Sequence, residues 1–293
     1  MLKPITLPIA VFLVFLSLFS FTLCASSWIF VGNSTPDLYT TNIQLNLDAT
    51  KADGSTNASA ACTPATWTDL SGNTNTATQS GFNCNASSGW VGDGTTGDPY
   101  AMLFDGTNDK MTIPNSSSLD INGDITLCAM INATNNGSDA SYHTVISKRN
   151  SGASKCQYEM FLQSSVTAAV NGSNAGLTGA IGWFNQNAAS GYNLNDSTTA
   201  VTTSAWHYIC VSTSGTTNSF YIDGGAVGTD TISDTKRPGS QTYDLEVGTF
   251  STLNEWFVGK IANLHVYNAA LTGAQVSQNC NSLKARFSGL TCS

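Results

Sequence analysis

Short stretches in which apolar and polar residues alternate recur along most of this chain. In Asn42–Asp48 the apolar positions are Ile43, Leu45 and Leu47, and Gln157–Leu162 follows the same pattern. A period of two residues predicts a half-buried β-strand. Other short runs of apolar, β-branched or aromatic residues predict strands at 67–73, 101–104, 110–113, 124–131, 142–147, 181–184, 206–212, 219–222, 243–247 and 259–267. Because turns rich in Gly and Asn separate these runs at intervals of about ten residues, the sequence predicts an all-β sandwich.

An oxygen-rich turn, Asp105–Asp109, joins two of the predicted strands. The Asp105-Gly106 pair can take the positive φ angles of a tight reversal, and Asn108 and Asp109 bond readily to nearby backbone. The local pattern therefore predicts a β-hairpin between the two flanking strands.

One segment near the C-terminus departs from the β pattern. Thr272 and Gln275 form a T-x-x-Q capping box. The apolar residues that follow recur at helical spacing: Val276, Cys280, Leu283 and Phe287. Gly289 then supplies a stop signal. The spacing predicts one amphipathic helix over about residues 273–287, with its apolar stripe packed on the sandwich.

Residues 1–27 have the features of a signal peptide. Lys3 supplies a positive charge, Ile5–Leu23 is a nearly unbroken apolar run, and Ala25-Ser26-Ser27 offers a cleavage site. An uncleaved membrane anchor is the alternative, because the run approaches the ~20 residues that span a bilayer. The lack of a basic stop signal favours cleavage, and Cys24 does not follow the small-residue lipobox of a lipoprotein. We therefore expect export, with no membrane association after cleavage.

The remaining chain divides into a polar lead-in at 28–42 and a region at 43–293 that is long enough for one large β-sandwich with its helix. Only 10% of residues are charged, and the net charge is −8. The largest basic cluster, Lys148-Arg149, falls in a predicted loop. Nothing in the sequence forms the basic stripe that phosphate binding requires, which argues against a nucleic-acid partner.

The cysteines favour disulfides over metal sites. No CxxC motif or Cys/His spacing typical of zinc occurs, and disulfides are the default in an exported protein. Six cysteines are candidates: Cys62, Cys84, Cys128, Cys210, Cys280 and Cys292. The local candidate pairs are 62–84 and 280–292, and the sequence leaves the connectivity open. If cleavage removes Cys24, the remaining number is odd, so at least one thiol is free or links to another chain.

Several phrases, read in order, resemble one family. They are Leu45-Asn-Leu-Asp-Ala49, Trp67-Thr-Asp-Leu-Ser-Gly-Asn73, Phe104-Asp-Gly-Thr-Asn-Asp109, Asp124-Ile-Thr-Leu-Cys-Ala129, Phe220-Tyr-Ile-Asp-Gly224 and Gly259-Lys-Ile-Ala-Asn-Leu-His-Val-Tyr267. From about Ile43 to Gly289 the chain resembles the LamG-like jelly rolls of the concanavalin A-like lectin/glucanase superfamily. The resemblance implies two antiparallel sheets in a jelly roll with one C-terminal helix. It does not imply one function, since the superfamily contains lectins, glycosidases, adhesion modules and structural domains.

The turn after Phe104 is also the candidate calcium site. The resemblance implies calcium near the sheet edges in many relatives, and Asp105, Asn108 and Asp109 are the candidate ligands, since Ca²⁺ prefers carboxylate and carbonyl oxygens. The alternative is that the Asp105 carboxylate only bonds to the backbone of its own turn. Many relatives carry an acidic pair in the closing strand, where this chain has Ala262-Asn263. That departure puts any ion that uses the closing strand in doubt.

Catalytic signatures are missing from the sequence. Glucanases of the superfamily carry an E-x-D-x-E type strand, whereas this chain has three glutamates, Glu159, Glu246 and Glu255, far apart in sequence. The nearest imitation is Asp244-Leu-Glu246, whose carboxylates share one face of a strand. Motifs of serine hydrolases, zinc proteases and nucleotide-binding proteins are absent as well. We therefore expect a protein that is not an enzyme.

Aromatic residues in Asn-rich segments are the candidate sugar-binding residues. Exposed aromatic rings can serve as flat platforms for sugars, and the candidates are Trp183, Tyr192 and Trp256. The alternative is that they fill the core, as large aromatic residues at strand positions commonly do.

The sequence thus predicts a secreted or cell-surface binding module whose partner is a glycan or a cell-surface or envelope protein. One alternative is a structural or adhesion subunit of a cell-envelope or appendage assembly, in which the odd cysteine could link chains. A glycoside hydrolase is the less favoured third interpretation.

Overall fold

The computed structural model describes residues 35–53, 62–139, 141–150, 155–164, 177–186, 192–232 and 241–293. These residues belong to one compact unit, Thr35–Ser293. The predicted signal peptide at 1–27 lies outside the described ranges. Of the helices within them, none combines the length and the apolar character that crossing a bilayer requires.

Short strands make up most of the described chain, as the alternating pattern predicts. In chain order they are β1 (Ile43–Asp48), β2 (Thr66–Trp67), β3 (Ala77–Ser80), β4 (Gly89–Val91), β5 (Ala101–Asp105), β6 (Lys110–Ile113), β7 (Ile125–Ala133), β8 (His143–Asn150), β9 (Lys155–Leu162), β10 (Ala180–Gln186), β11 (Tyr192–Ala200), β12 (His207–Ser214), β13 (Thr217–Ile222), β14 (Gly225–Thr231), β15 (Leu245–Val247), β16 (Thr249–Phe250), β17 (Glu255–Trp256) and β18 (Val258–Tyr267). The helix α1 (Gly273–Leu283) follows the last strand.

Within the described ranges, the strands form two antiparallel sheets of eight strands each and a two-stranded ribbon of β16 and β17. The first sheet has the order β14-β13-β12-β7-β18-β5-β4, and β1 also pairs with β18. The second sheet has the order β11-β10-β9-β8-β15-β6-β3-β2. Side chains from both sheets, such as Leu127 and Ile209 from the first and Tyr158 and Met160 from the second, share one buried cluster. This arrangement confirms the predicted all-β jelly-roll sandwich.

The strands that flank Asp105–Asp109 do not pair with each other, so the predicted hairpin is wrong. β5 pairs with β4 and β18 in the first sheet, whereas β6 pairs with β3 and β15 in the second. The turn is therefore an arch that carries the chain from one sheet to the other. Turn residues specify that the chain reverses, but distant apolar faces decide which strands pair.

Several strands of the described chain were not predicted, among them β3, β4, β11, β16 and β17. They are short or polar, and β11, for example, reads YNLNDSTTA. Such sequences give little alternation because their side chains do not separate into one apolar and one polar face. A related correction concerns Lys148 and Arg149, which were expected in a loop and lie instead in β8.

The helix α1 covers the outer face of the first sheet. Leu127 belongs to the cluster between the sheets, whereas its neighbour Cys128 belongs to a second cluster that includes the helix. The predicted apolar stripe of the helix is buried in this second cluster: Val276, Cys280, Leu283 and Phe287. The capping box of Thr272 and Gln275 is also present, and a 3-10 turn, Lys284–Arg286, continues from α1. The second sheet is therefore the one whose outer face α1 leaves available.

Three disulfides lie in the described ranges: Cys62–Cys84, Cys128–Cys210 and Cys280–Cys292. Both predicted local pairs are confirmed, and the third joins residues that face each other in β7 and β12. Cys156 lies outside the disulfides and is fully buried. Because a buried thiol cannot reach another chain, Cys156 is not placed to link subunits.

Candidate functional site

The outer face of the second sheet carries a row of polar side chains next to one aromatic ring. Paired residues follow one another across five strands in the order Phe184 (β10), Glu159 (β9), Ser147 (β8), Glu246 (β15) and Thr112 (β6). Residues paired directly across neighbouring strands share one face of a sheet. A strip of carboxylates and hydroxyls therefore crosses the face that α1 does not cover, and within it Ser147 and Glu159 are buried.

A cavity of about 310 Å³ opens beside this strip. Its lining includes Lys110, Thr112, Arg149, Tyr243, Asp244 and Glu246. We call it the β15 groove, because Glu246 belongs to β15 and Tyr243 and Asp244 directly precede that strand. Small-ligand sites typically measure about 300–1,000 Å³ and combine an aromatic surface with a few oriented polar groups. The β15 groove meets this description at the small end of the range.

Glu246 is held rigidly on one side of the groove. Its Oε1 lies 2.7 Å from Nζ of Lys110 and accepts a hydrogen bond of 2.7 Å from the hydroxyl of Ser251. Its Oε2 accepts a hydrogen bond of 2.9 Å from the backbone N–H of Ser251. These bonds join β6, β15 and the turn after β16. The carboxylate is therefore a fixed part of the wall.

Arg149 is fixed between two aromatic rings on the other side. Its guanidinium carbon lies 4.4 Å from the ring centroid of Phe184 and 4.5 Å from that of Phe250, and Nη1 lies 3.0 Å from Oε2 of Glu159. Burial by itself would lower the pKa of Arg149, but the neighbouring acids, led by Glu159, outweigh it and raise that pKa. The groove therefore contains a permanently charged group in one orientation.

A buried acid pair lies behind Arg149. Oγ1 of Thr144 is 2.9 Å from a carboxylate oxygen of Glu159 and 3.3 Å from one of Glu255. Burial, together with the nearby Glu159, raises the pKa of Glu255 to about 9. Glu255 is therefore a neutral acid near pH 7, and its proton reduces repulsion between the two side chains.

Lys148 stabilises the main chain that carries one wall of the groove. This fully buried side chain donates hydrogen bonds from Nζ to Oδ1 of Asn115 at 2.5 Å and to the backbone carbonyl of Tyr243 at 2.9 Å. Burial lowers the pKa of Lys148 to about 8, although Asp120 and Asp244 oppose this. The contact with the Tyr243 carbonyl fixes the main chain that carries the aromatic wall of the groove.

A second cavity of about 410 Å³ lies between β1 and a loop before β7, and its lining includes Gln44, Asp120, Asn122 and Asp124. It has no aromatic lining residue. The side-chain amide of Gln157 donates to carboxylate or amide oxygens of both Asp120 and Asn122. Because this cavity lacks an aromatic wall, the β15 groove is the better candidate for a ligand.

The three predicted sugar platforms have different outcomes. Trp183 is fully buried and donates its indole N–H to Oδ1 of Asn185 at 2.8 Å, so its prediction as an exposed platform is wrong and the core alternative holds. Trp256 is partly exposed in β17, and its backbone carbonyl lies 2.8 Å from Nδ1 of His143. Tyr192 begins β11, but its side chain lies outside the described part of the structure. Trp256 and Tyr192 stay predictions.

The candidate calcium ligands are mainly engaged in the arch. Asp109 is buried and accepts the backbone N–H of Asp105 at 2.8 Å, and Asp105 accepts that of Thr107 at 2.8 Å. Burial raises the pKa of the Asp109 carboxyl. Asn108 is exposed. Across the described ranges, no group of three or more His, Cys, Asp or Glu is placed to hold a metal ion. The residues fit a turn better than a calcium site, and calcium stays a prediction.

Part of the groove was predicted from the sequence. Asp244 and Glu246 were predicted as two carboxylates on one strand face, and both line the groove. Tyr243, Lys110 and Arg149 were not among the predicted site residues. The predicted strands at 243–247 and 110–113 contain Tyr243 and Lys110, whereas Arg149 was expected in a loop. The three residues come together because β15 pairs with both β6 and β8. That pairing leaves no local signal in the sequence.

The sequence matches the Laminin_G_3 family, described as the concanavalin A-like lectin/glucanases superfamily, over residues 105–277. This match covers more than half of the chain and agrees with the jelly-roll fold. The protein therefore belongs to the concanavalin A-like lectin/glucanase superfamily, as its sequence phrases suggested. A search of curated proteins gave no match.

Solved structures with the same fold have low sequence identity to this chain. The binding domain of Paraclostridial Mosquitocidal Protein 1 has a TM-score of 0.56 and 13% identity, and the alignment covers 83% of this chain and 52% of that one. A second structure is of botulinum neurotoxin type C, a toxin whose cell entry depends on interaction with two ganglioside molecules. It has a TM-score of 0.52 and 12% identity, and the alignment covers 83% of this chain and 52% of that one. This chain thus spans about half of each of these two structures.

A third similar structure is Domain 4 of AbnA, an extracellular GH43 arabinanase from Geobacillus stearothermophilus, solved in complex with arabinotriose. It has a TM-score of 0.53 and 15% identity, and the alignment covers 82% of this chain and 98% of that domain. At such identities the three comparisons show the shared fold alone.

Proposed function

We propose that this protein is a non-catalytic module that binds a saccharide in the β15 groove. The observation that carries the proposal is the position of this groove on the sheet face that α1 leaves uncovered. Hydroxyl, carboxylate and aromatic groups meet there, and sugars use this combination through hydrogen bonds and ring contacts. The similarity in fold and extent to an arabinanase domain that was solved with arabinotriose supports the same class of ligand.

The fixed geometry of the lining also favours binding. Glu246 is held by Lys110 and Ser251, and Arg149 is held between two rings. A ligand that binds to such side chains loses little of its affinity to their ordering, because their hydrogen bonds and ring contacts already hold them in one conformation. A preorganised wall is therefore suited to a weakly interacting, heavily hydrated ligand such as a sugar.

The carboxylates do not support glycoside hydrolysis. Hydrolysis requires one acid and one base or nucleophile on opposite sides of a bond, about 5–9.5 Å apart. Both oxygens of Glu246 already accept hydrogen bonds, while Glu159 and Glu255 are buried behind Arg149. We therefore propose binding without catalysis.

Export to an oxidising compartment is part of the proposal. The three disulfides support it, because disulfides persist mainly in secreted and surface proteins. The N-terminal apolar run supports it as well. We retain a glycan or cell-surface partner as the target. The alternative of a chain-linking structural subunit loses support, because Cys156 is buried.

A glycan array tests this function. The wild-type protein is screened beside Tyr243→Phe and Tyr243→Ala, which keep and remove the aromatic wall. We expect binding to one class of glycan that the Phe variant retains and the Ala variant loses by about tenfold or more, since stacking on an aromatic ring contributes roughly 1–2 kcal/mol. No binding to any glycan by the folded wild type would overturn the proposal. Equal binding by all three proteins would show that the glycan does not bind in the β15 groove.

A further inference from the structure

We infer that the β15 groove selects neutral saccharides and rejects acidic or sulfated ones. The inference rests on the proposed function and narrows its class of ligand. It follows from the arrangement of the charged groups around the groove. Each positively charged side chain that lines the groove already has a carboxylate partner in the ligand-free protein.

The two cations that line the groove are already neutralised. Nζ of Lys110 lies 2.7 Å from Oε1 of Glu246. Nη1 of Arg149 lies 3.0 Å from the carboxylate of Glu159. An anionic ligand would have to compete with these carboxylates for the same cations. Its affinity would therefore gain little from charge, while the ligand would still lose its hydration.

Asp244 adds a negative charge at the exposed rim. Its Oδ1 accepts the backbone N–H of Asn115 at 2.9 Å, so the side chain is oriented by a contact outside the groove. The buried Lys148 donates to Asn115 and to two backbone carbonyls, and its charge is shared between Asp120 and Asp244. Acids therefore equal or outnumber bases around the groove, and the net charge of the chain, −8, has the same sign.

The remaining polar groups suit hydroxyls. The lining presents the hydroxyls of Thr112 and Thr252, the amide of Asn150 and the carboxylates of Asp244 and Glu246. A sugar hydroxyl both donates and accepts hydrogen bonds, so it can pair with all three kinds of group. A carboxylate or sulfate only accepts, and it would face Asp244 as a like charge. The chemistry therefore favours a neutral, polyhydroxylated chain.

The test compares probes that differ in charge. Binding of the wild-type protein to neutral arabinan is measured by affinity electrophoresis beside binding to polygalacturonate and to heparin, at low and at high salt. We expect retention by arabinan or another neutral polysaccharide of the array, with little salt dependence, because no net charge is neutralised on binding. Tighter binding to either polyanion at physiological salt would overturn the inference. Failure to bind any polysaccharide or array glycan would overturn the proposed function, and with it this inference.

A charge variant tests whether the groove itself sets the preference. Glu246→Gln keeps the shape of the side chain and releases Lys110 from its counter charge. We expect binding to polygalacturonate to rise by about fivefold, the scale of one partly screened charge contact. Asp37→Asn is the matched control, because it changes the net charge equally at an exposed position outside the groove. Equal polyanion binding by the two variants would contradict the inference, and circular dichroism checks that both are folded.

Discussion

Nη1 of Arg149 lies 3.0 Å from Oε2 of Glu159, and this ion pair joins β8 to β9 on the face of the second sheet that α1 does not cover. Only 1% of the Glu159 side chain is exposed, against 20% of Arg149. The acid therefore depends on the arginine for its charge partner. The same arginine forms one wall of the β15 groove, so the stability of the sheet and the shape of the groove depend on one contact.

Replacement of this arginine should be costly to the fold. Arg149→Met leaves the buried Glu159 carboxylate without its cation, and we expect the free energy of unfolding to fall by about 2–4 kcal/mol, since breaking a buried pair leaves an uncompensated charge. The double variant Arg149→Met/Glu159→Gln should recover part of this loss. Urea unfolding of the single and double variants measures the coupling. Strictly additive effects would show that the two residues do not stabilise each other.

The acid pair should make stability depend on pH. The unfolded chain releases the proton of Glu255 near pH 4.5, whereas the folded chain holds it until about pH 9. The folded state therefore binds more protons in this window, and its stability decreases as pH rises, by at most about 1.4 kcal/mol per pH unit. Glu255→Gln should remove this dependence, so its advantage over wild type should grow from pH 5 towards pH 9. A constant difference across that range would contradict a protonated Glu255.

The arch between the sheets offers a test of the calcium prediction. Asp109→Asn keeps an oxygen that can accept the N–H of Asp105, whereas Asp109→Ala leaves that donor without its partner. We expect the Asn variant to be close to wild type and the Ala variant to lose about 1–3 kcal/mol. Thermal unfolding with calcium and with chelator then tests for a bound ion. Calcium held by this carboxylate would raise the Tm of the wild type and would not raise that of Asp109→Asn.

The buried position of Trp183 predicts a structural role. Trp183→Ala should lower the free energy of unfolding by about 3–5 kcal/mol, as expected when a large aromatic side chain is removed from a core. Trp183→Phe should lose less, because it retains most of the apolar volume. Denaturant unfolding gives both values. A stable Trp183→Ala protein that had lost glycan binding would instead support the original prediction of a surface platform.

The sequence was most informative where a local pattern is sufficient. The alternation at Ile43–Asp48 and the helical spacing after Thr272 predicted a strand and a helix that the structure confirms. The disulfide Cys62–Cys84 was also a local candidate. In each case the physical cause, a repeating apolar face or a short loop, is contained within a few tens of residues.

Local patterns were insufficient where distant segments decide the outcome. The arch at Asp105–Asp109 has the composition of a hairpin turn, yet its strands belong to different sheets. The position of Trp183, exposed or in the core, was ambiguous, because the sequence of a strand does not determine which of its two faces packs against the other sheet. The groove depends on the pairing of β15 between β6 and β8, which places Tyr243 near Lys110 and Arg149. Only the three-dimensional order of the strands reveals these relations.

Hydrogen–deuterium exchange with a bound oligosaccharide tests the central claim most directly. The probe is the neutral oligosaccharide that binds most strongly on the array, with arabinotriose as the first to be tried. The β15 groove predicts slower amide exchange in segments 110–112, 147–150 and 243–252, with little change on the α1 side of the molecule. Protection confined to the loops around Asp120 and Asp124, or to the covered face of the first sheet, would contradict the assignment of the β15 groove as the binding site.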